Sequence, residues 1–485
     1  MEQSGDTNQG KKKVSEITTF PVQFALGEIK TNTPSKPSKE QIINQAFKFH
    51  SQGNISEAVK YYQSFINEGF KDSLVFANYG YILEDYGKLK EAELIYSKAI
   101  KIEPVSDHAH YSLGRFLISI GKLQEAEINL KKAINLNPKN AKSFDALGRI
   151  QLQKGELNLS LKYFSESTKL LRGINNKVSH SLKFKKISQS KIEHDIEQFE
   201  YLASNGYESK KFTDLALLYK KVSKEIHWLS NHKVHLMDHK LNALLKDNYN
   251  LLLHEILAPQ LEKEVINNSL DVENITNDYF DHEFGCTYID NFLSLEALES
   301  LRKFLLGNTI WFDNKEAGWI GAYLGEGLAS PLLLQIAYEL RKKFPKILRD
   351  YPIKQIWAYK YDSRAKEEGS SLSGIHVHAD PAAVNVNFWV TPNEANLNPS
   401  SGGIIVYDVE VPRYWLHKNY NSNVKRIREE LKKSKGNTTV IPYKENRAVV
   451  FNSDLFHETD NYEFKEGYEN RRINVTILFG DRKNS

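Results

Sequence analysis

A single cysteine, Cys286, stands among 485 residues. No intramolecular disulfide can form, and the chain reads as an intracellular protein kept reduced. Charge of one sign is not in excess either. The 65 Lys and Arg against 61 Asp and Glu leave a net charge of +4. A dedicated nucleic-acid binder concentrates basic charge on one face, so no nucleic-acid partner is expected. Long apolar runs are also missing. No segment approaches the roughly 18 consecutive apolar residues that mark a membrane span. The opening MEQSGDTNQGKKK stays polar and lacks the apolar stretch of a secretory signal. A cytoplasmic chain with no membrane partner is expected. Core material is plentiful, with 40% hydrophobic and 11% aromatic residues. At roughly 100–200 residues per domain, the length predicts two to four domains.

Residues 1–38 are rich in Ser, Thr, Asn, Gln, Lys and Pro, have little periodicity and read as a disordered lead-in. A repeat follows. Gly53, Gly87, Gly121 and Gly155 are each 34 residues apart, as are Gly80, Gly114 and Gly148, with Ala46 one period earlier. Ala58, Ala92 and Ala126 keep the same step, and Tyr62, Tyr96, Leu130 and Phe164 form a column of large apolar residues. Pro104 and Pro138 close two of the units. This period, with small residues at fixed places, predicts two antiparallel helices per unit. The small residues admit close approach and the large ones fill the gap between helices. The pattern resembles the tetratricopeptide repeat (TPR), with units at 39–72, 73–106, 107–140 and 141–174. The resemblance implies an all-α superhelix whose groove takes a protein or peptide. Bracing of the chain or self-association is the alternative role.

Residues 175–275 carry apolar residues at helical spacing without a clean repeat and read as a helical connector. His227, His232, His235 and His239 cluster there, but no further metal ligand accompanies them, and a solvated helix face or a packing role is expected. From about residue 284 the pattern changes. CTYIDNFLSLEALESLRKFL reads as a strand, a turn with Ser294 as N-cap, then a helix. After Pro345 come short runs rich in Val, Ile, Tyr, Phe and Trp: IKQIWAYKY, GIHVHA, AVNVNFWV, GGIIVYDVEV, NTTVIPY, AVVFN and RRINVTILFG. Separated by turn residues, they predict a sandwich or barrel.

Three segments carry chemistry. In GIHVHADPAAVNVNFWV, His376, His378 and Asp380 alternate, and a strand through all three sets them on one face. In AVVFNSDLFHETD, an apolar strand runs into a turn that presents His457. Two histidines and a carboxylate on one side of a metal leave the opposite positions open, which suits non-heme Fe(II). In ENRRINVTILFG, alternation separates Arg472, Asn474 and Thr476 from the apolar row Ile473, Val475, Ile477 and Phe479. The apolar row is expected to meet covering helices and the polar row to face the interior. A guanidinium there can grip a dicarboxylate. Arg471 shares parity with the apolar row, and its head is expected to reach solvent at the start of the strand.

Residues from about 284 to 485 resemble the Fe(II)- and 2-oxoglutarate-dependent dioxygenases, closest to their prolyl-hydroxylase-like branch. The H-x-D…H motif falls on His378, Asp380 and His457, the Arg strand on Arg472 and Asn474, and the glycine-pair strand on SGGIIVYD. The resemblance implies a double-stranded β-helix (jelly-roll) within a domain spanning 276–485. It implies Fe(II) on His378, Asp380 and His457, 2-oxoglutarate and O2 as co-substrates, and Arg472 on the far carboxylate. A tyrosine before H-x-D, Tyr361 or Tyr359, is its expected hydrogen-bond partner. Asn385, Asn387 and Trp389 share a strand face, where they either line the co-substrate pocket or form a satisfied polar pair. A cupin would need a Glu soon after H-x-H, and Ala382, Ala383 and Val384 stand there instead. A zinc hydrolase would not account for the Arg472 strand. The insertion containing VKRIREELKKSKG is expected to ride over the pocket mouth as a solvated flap. The implied activity is hydroxylation of a C–H bond, on a protein or peptide side chain brought by the repeats. The alternatives are a small-molecule or glycan substrate, and an inert oxygenase domain on an interaction scaffold.

Overall fold

The computed structural model describes residues 37–173, 182–228, 233–315, 318–364, 374–434 and 436–482. Most of the expected disordered lead-in, and His232 of the histidine cluster, lie outside these residues. The chain divides into two compact units after Asn137.

The first unit is helical. Its helices are Lys39–Ser51, Ile55–Asn67, Ser73–Asp85, Leu89–Ile102, Asp107–Ser119 and Leu123–Leu136. Four of the starts are capped by side chains that accept orphan backbone N–H groups: Ser38, Asn54, Asp72 and Ser106. The turns inside the three helix pairs place Gly53, Gly87 and Gly121 at φ of 73°, 72° and 76°, a region that favours glycine. The second glycine column serves packing. A Cβ on Gly80 would sit 2.8 Å from Tyr96 Cε1, and one on Gly114 would sit 2.7 Å from Leu130 Cγ. The 34-residue columns thus correspond to real helix–helix contacts.

Within this unit His50 is buried and shares a 2.9 Å hydrogen bond between its Nδ1 and Tyr62 Oη. Burial pushes its imidazolium down to about 4. An unfolded chain, with its histidine near pH 6.5, takes the proton first. The stability contributed by neutral His50 is therefore complete above about pH 6.5 and lost as pH falls toward about 4. At 1.36 kcal/mol per pKa unit the full effect is about 3 kcal/mol. Urea midpoints by helical ellipticity at pH 7 and pH 5 should differ more for the native chain than for His50→Gln.

The second unit begins with the helices Ala141–Lys154 and Leu157–Arg172, which keep the repeat pattern: Gly155 has φ 80°, and a Cβ on Gly148 would meet Phe164 at 2.6 Å. The connector follows with helices Gln189–Ser204 and Ser209–Glu225 and a two-stranded ribbon of β1 (Lys186–Ile187) and β2 (His235–Leu236). It is no loose spacer. Arg172 is fully buried and donates to the backbone carbonyls of Asn250 (2.9 Å), Thr309 (2.7 Å), Ile310 (2.9 Å) and Glu326 (2.6 Å). Gln198 Nε2 donates to the Asn308 carbonyl at 2.9 Å.

Among the described residues, the sheet-rich part holds ten further strands, β3 (Cys286–Ile289), β4 (Asp313–Asn314), β5 (Trp319–Tyr323), β6 (Ile353–Tyr361), β7 (Val384–Trp389), β8 (Ile404–Glu410), β9 (Thr438–Ile441), β10 (Ala448–Asn452), β11 (Leu455–Thr459) and β12 (Ile473–Phe479). Seven form one antiparallel sheet in the order β3-β10-β7-β12-β6-β5-β4, and three form another, β11-β8-β9. Ile473, Val475, Ile477 and Phe479 of β12 pack with Val386 and Phe388 of β7 against Leu301, Leu305, Leu333 and Ile336 of the helices Leu295–Gly307 and Pro331–Lys343. Each such side chain stabilises by about 1.5–3 kcal/mol on burial. The opposite face of the large sheet meets the small sheet: Tyr361, Trp389, Val449 and Phe451 pack with Ile404, Val406, Ile441 and Leu455. The site lies in that interior.

Three expectations change. Residues 376–380 form no regular strand, and only His378 makes a bridge, to His457. The insertion helix Val424–Ser434 is not wholly solvated. Its Ile427 is fully buried with Val377, Ala379, Val409, Val411 and Phe456, so it packs against the segments that carry the histidines. Arg428 fixes it there, pairing with Glu458 through Nη2–Oε2 at 2.5 Å and Nη1–Oε1 at 3.0 Å. Arg471 is 5% exposed rather than solvated. The connector helix Gln189–Ser204 covers it, and its guanidinium pairs with Glu197 at 2.7 Å and Asp362 at 3.0 Å.

Candidate metal centre and anion pocket

The two histidines meet through backbone pairing. His378 N donates to the His457 carbonyl at 2.9 Å, and His457 N donates to the His378 carbonyl at 2.8 Å. Residues directly opposite in an antiparallel pair project to the same side, and the ring centroids lie 4.3 Å apart. Each Nδ1 is engaged by a backbone carbonyl, His376 O at 2.8 Å for His378 and Leu455 O at 3.0 Å for His457. That bond holds the proton on Nδ1 and leaves each Nε2 lone pair for a ligand. Asp380 faces both: Oδ1 is 3.9 Å from His378 Nε2, and Oδ2 is 3.5 Å from His457 Nε2. One ligand atom from each of the three lies within 4.8 Å of the others, a group that could hold a metal ion.

The ionisation states suit ligation. Burial pushes His378 down to about 4, helped by His457 beside it. Burial alone would raise Asp380, but His457 and His378 beside it outweigh that and hold the carboxyl below its usual range. A neutral imidazole and an ionised carboxylate are the forms that bind metals.

Arg472 lies across the same interior. It is 3% exposed, and its guanidinium is ringed by Tyr361, Trp389 and Tyr462 at 4.7, 5.6 and 5.8 Å. Nε donates to Gly402 O at 2.7 Å and Nη2 to Gly403 O at 3.1 Å. Gly403 has no room for a side chain, because a Cβ would lie 1.9 Å from Ile441 O of β9. Nη1 is buried without a hydrogen-bond partner, and among the described residues no carboxylate pairs with Arg472. A buried cation with no counter-charge is expensive, so the pocket suits an anion that enters from outside the chain.

The expected co-substrate residues separate into groups. Tyr361 is 1% exposed and lies beside Arg472, with Thr459 at its hydroxyl. Tyr359 stands against Trp319, 4.5 Å between ring centroids, with Tyr323 at its hydroxyl. The amide donors of Asn387 and Asn474 are engaged in a polar chain with Asn385 and Thr476. Thr459 and Tyr462 were not legible as pocket residues, since they reach Tyr361 and Arg472 through folding and belong to no motif. The acceptor role of Gly402 and Gly403 had a signal in the glycine pair.

The tetratricopeptide-repeat family profile matches residues 75–106 and 107–140, and these segments are tetratricopeptide repeats. No curated protein gives a significant match to the chain. Among solved structures, it is similar to MamA at 19% identity, covering 39% of this chain and 90% of that one with a TM-score of 0.25. It is also similar to the second TPR of Spaghetti (RPAP3), solved bound to the HSP90 peptide SRMEEVD, at 22% identity, 20% and 91% coverage and a TM-score of 0.20. A third is a thermophilic TPR protein of Thermus thermophilus, at 17% identity, 27% and 74% coverage and a TM-score of 0.25. No helix among the described residues is long and apolar enough to cross a membrane. The chain therefore joins tetratricopeptide repeats to a sheet-rich part that brings two histidines, an aspartate and a buried arginine into one interior.

Proposed function

We propose that the protein is an Fe(II)- and 2-oxoglutarate-dependent oxygenase that hydroxylates a C–H bond on a protein or peptide side chain recruited by its repeats. His378, Asp380 and His457 would hold the iron, and Arg472 would hold the far carboxylate of 2-oxoglutarate with Tyr361 beside it. The iron, when bound, supplies O2 activation coupled to oxidative decarboxylation of the co-substrate. The chain's own share is positioning and exclusion of water. The two backbone carbonyls aim the Nε2 atoms, the Gly402 and Gly403 carbonyls aim the guanidinium, and the aromatic ring around Arg472 keeps the pocket dry.

The observation that carries the reading is the unpartnered Nη1 of buried Arg472 in the same interior as the triad. A metal hydrolase has no need of that charge. The two facing sheets agree with a double-stranded β-helix, and solenoid repeats present extended binding surfaces.

The test is succinate formation by the purified full chain with and without Fe(II), then with candidate peptides followed by mass spectrometry. The expected results are iron-dependent turnover and a peptide heavier by one oxygen atom. Turnover without peptide modification would redirect the search to small molecules or glycans. Absence of both metal binding and turnover would leave an interaction scaffold.

A further inference from the structure

The inward row of β7 carries Asn385 and Asn387. Carboxamides buried in an aromatic interior are costly unless their donors and acceptors are met. Here they are met in a chain that ends on Asp380. Asn385 Nδ2 donates to Asp380 Oδ2 at 2.6 Å. Asn387 Nδ2 donates to Asn385 Oδ1 at 2.8 Å. Asn387 Oδ1 accepts from Thr476 Oγ1 at 2.5 Å and from Asn474 Nδ2 at 3.0 Å. Asn385 is 0% exposed and Thr476 2%. Strand register makes the far link possible, because Thr476 of β12 lies directly opposite Asn387 of β7.

One end sets the direction of the whole chain. An ionised carboxylate only accepts hydrogen bonds. Asn385 must therefore turn its NH2 toward Asp380, which turns its carbonyl toward Asn387. Asn387 then gives its NH2 to Asn385 and its carbonyl to Asn474 and Thr476. Every amide dipole points its positive end at Asp380, and hydrogen bonds in such a series strengthen one another.

Asp380 also depends on this support more than the histidines do. They are fixed by their backbone bridge and two carbonyls. Asp380 sits in an irregular link between the bridge at His378 and the start of β7 at Val384. Its neighbour Ala379 is tied to the insertion, by Ala379 N to Tyr420 O at 2.9 Å and Asn421 Nδ2 to Ala379 O at 3.1 Å. Those bonds place the backbone and leave the carboxylate free to rotate.

We propose that Asn385 is a positioning residue for the metal centre: it fixes the rotation of the Asp380 carboxylate toward the two Nε2 atoms, and Asn387 and Thr476 hold Asn385 in turn. This rests on the reading of the triad as a metal centre. It makes the buried asparagine row part of the site's geometry rather than a self-satisfied pair.

The test is Co(II) titration of the metal-free full-length protein, read by visible absorption and needing no turnover. Outer partners of metal ligands are worth about 10–100-fold in affinity. Asn385→Leu, close in shape and without polar atoms, should weaken Co(II) binding by that amount and alter the spectrum. Thr476→Val should weaken it less, because Asn474 still donates to Asn387. Val450→Ala, in the helix-packed core of the same sheet, should lower the melting temperature and leave Co(II) affinity unchanged. If Asn385→Leu does not fold, Asn385→Ala carries the same expectation. Unchanged affinity and spectrum in the Asn385 variant, with Co(II) binding by the unsubstituted protein, would overturn the positioning role alone. No Co(II) binding by the unsubstituted protein would overturn the metal centre and this inference with it.

Discussion

Asp380→Ala and His378→Ala should each abolish metal binding and 2-oxoglutarate turnover while leaving the helical circular dichroism intact. Each substitution removes a whole ligand. If outer partners alone cost about 10–100-fold in affinity, the loss here should exceed that range. The fold should tolerate the change. The helical signal arises mainly from repeats and connector, and the outward rows of the large sheet keep their apolar packing without the triad. Asp380→Ala leaves the buried Asn385 amide donor without its acceptor, a cost of about 1–3 kcal/mol that lowers stability without unfolding the helical part. Co(II) and Zn(II), taking the same three ligands, should inhibit the iron-loaded protein. Full turnover in the double variant would sink the assignment.

The second large effect separates two adjacent arginines, and the structure gives each its own measurement. Arg472→Ala removes the charged donor of the anion pocket. Truncating one partner of a desolvated charged pair costs about 2–5 kcal/mol. At about 1.4 kcal/mol per tenfold, the half-saturating concentration of 2-oxoglutarate should rise roughly 30- to several-thousand-fold. Arg471→Ala should act on folding instead. Its guanidinium joins Glu197 of the connector to Asp362, just beyond β6, and all three groups are largely withdrawn from water. Breaking such a buried pair costs about 3–5 kcal/mol, because the remaining charges lose their partner. Arg364 still pairs with Asp362 at 2.8 Å and with Glu197 at 2.9 Å and limits the damage. The melting temperature should drop while the 2-oxoglutarate requirement of the folded protein stays put. The reverse ranking, with Arg471→Ala raising that requirement and Arg472→Ala only lowering the melting temperature, would move the carboxylate site to Arg471.

Much of this architecture was legible in local pattern. The 34-residue columns predicted helix pairs because a small residue at a fixed phase is needed wherever two helices touch, and Gly80 and Gly114 do face Tyr96 and Leu130. Alternation in RRINVTILFG separated the apolar row from Arg472 and Asn474, because a strand turns successive side chains to opposite faces. That alternation put Arg472 and Arg471 on different faces, and in the fold they serve different surroundings.

Other features came only with the tertiary structure. Alternation could say that Arg471 points away from the pocket, but not that a helix some 270 residues earlier would cover it (Glu197 to Arg471, |i−j| of 274). Burial depends on what packs on a face, and that partner can lie anywhere in the chain. For the same reason a charged insertion looked like a solvated flap, although one residue, Ile427, anchors it against the segments that carry the histidines. The division after Asn137 is of this kind as well: the repeat pattern runs on through residue 174, yet Arg172 is bound by carbonyls far along the chain. The sequence by itself determined the residue types of the site and the faces they occupy, because side-chain chemistry and backbone period are local. Only the tertiary structure decided that His378 pairs with His457, that no carboxylate among the described residues pairs with Arg472, and that Asn385 reaches Asp380, because each is a distance between segments that chain order leaves free.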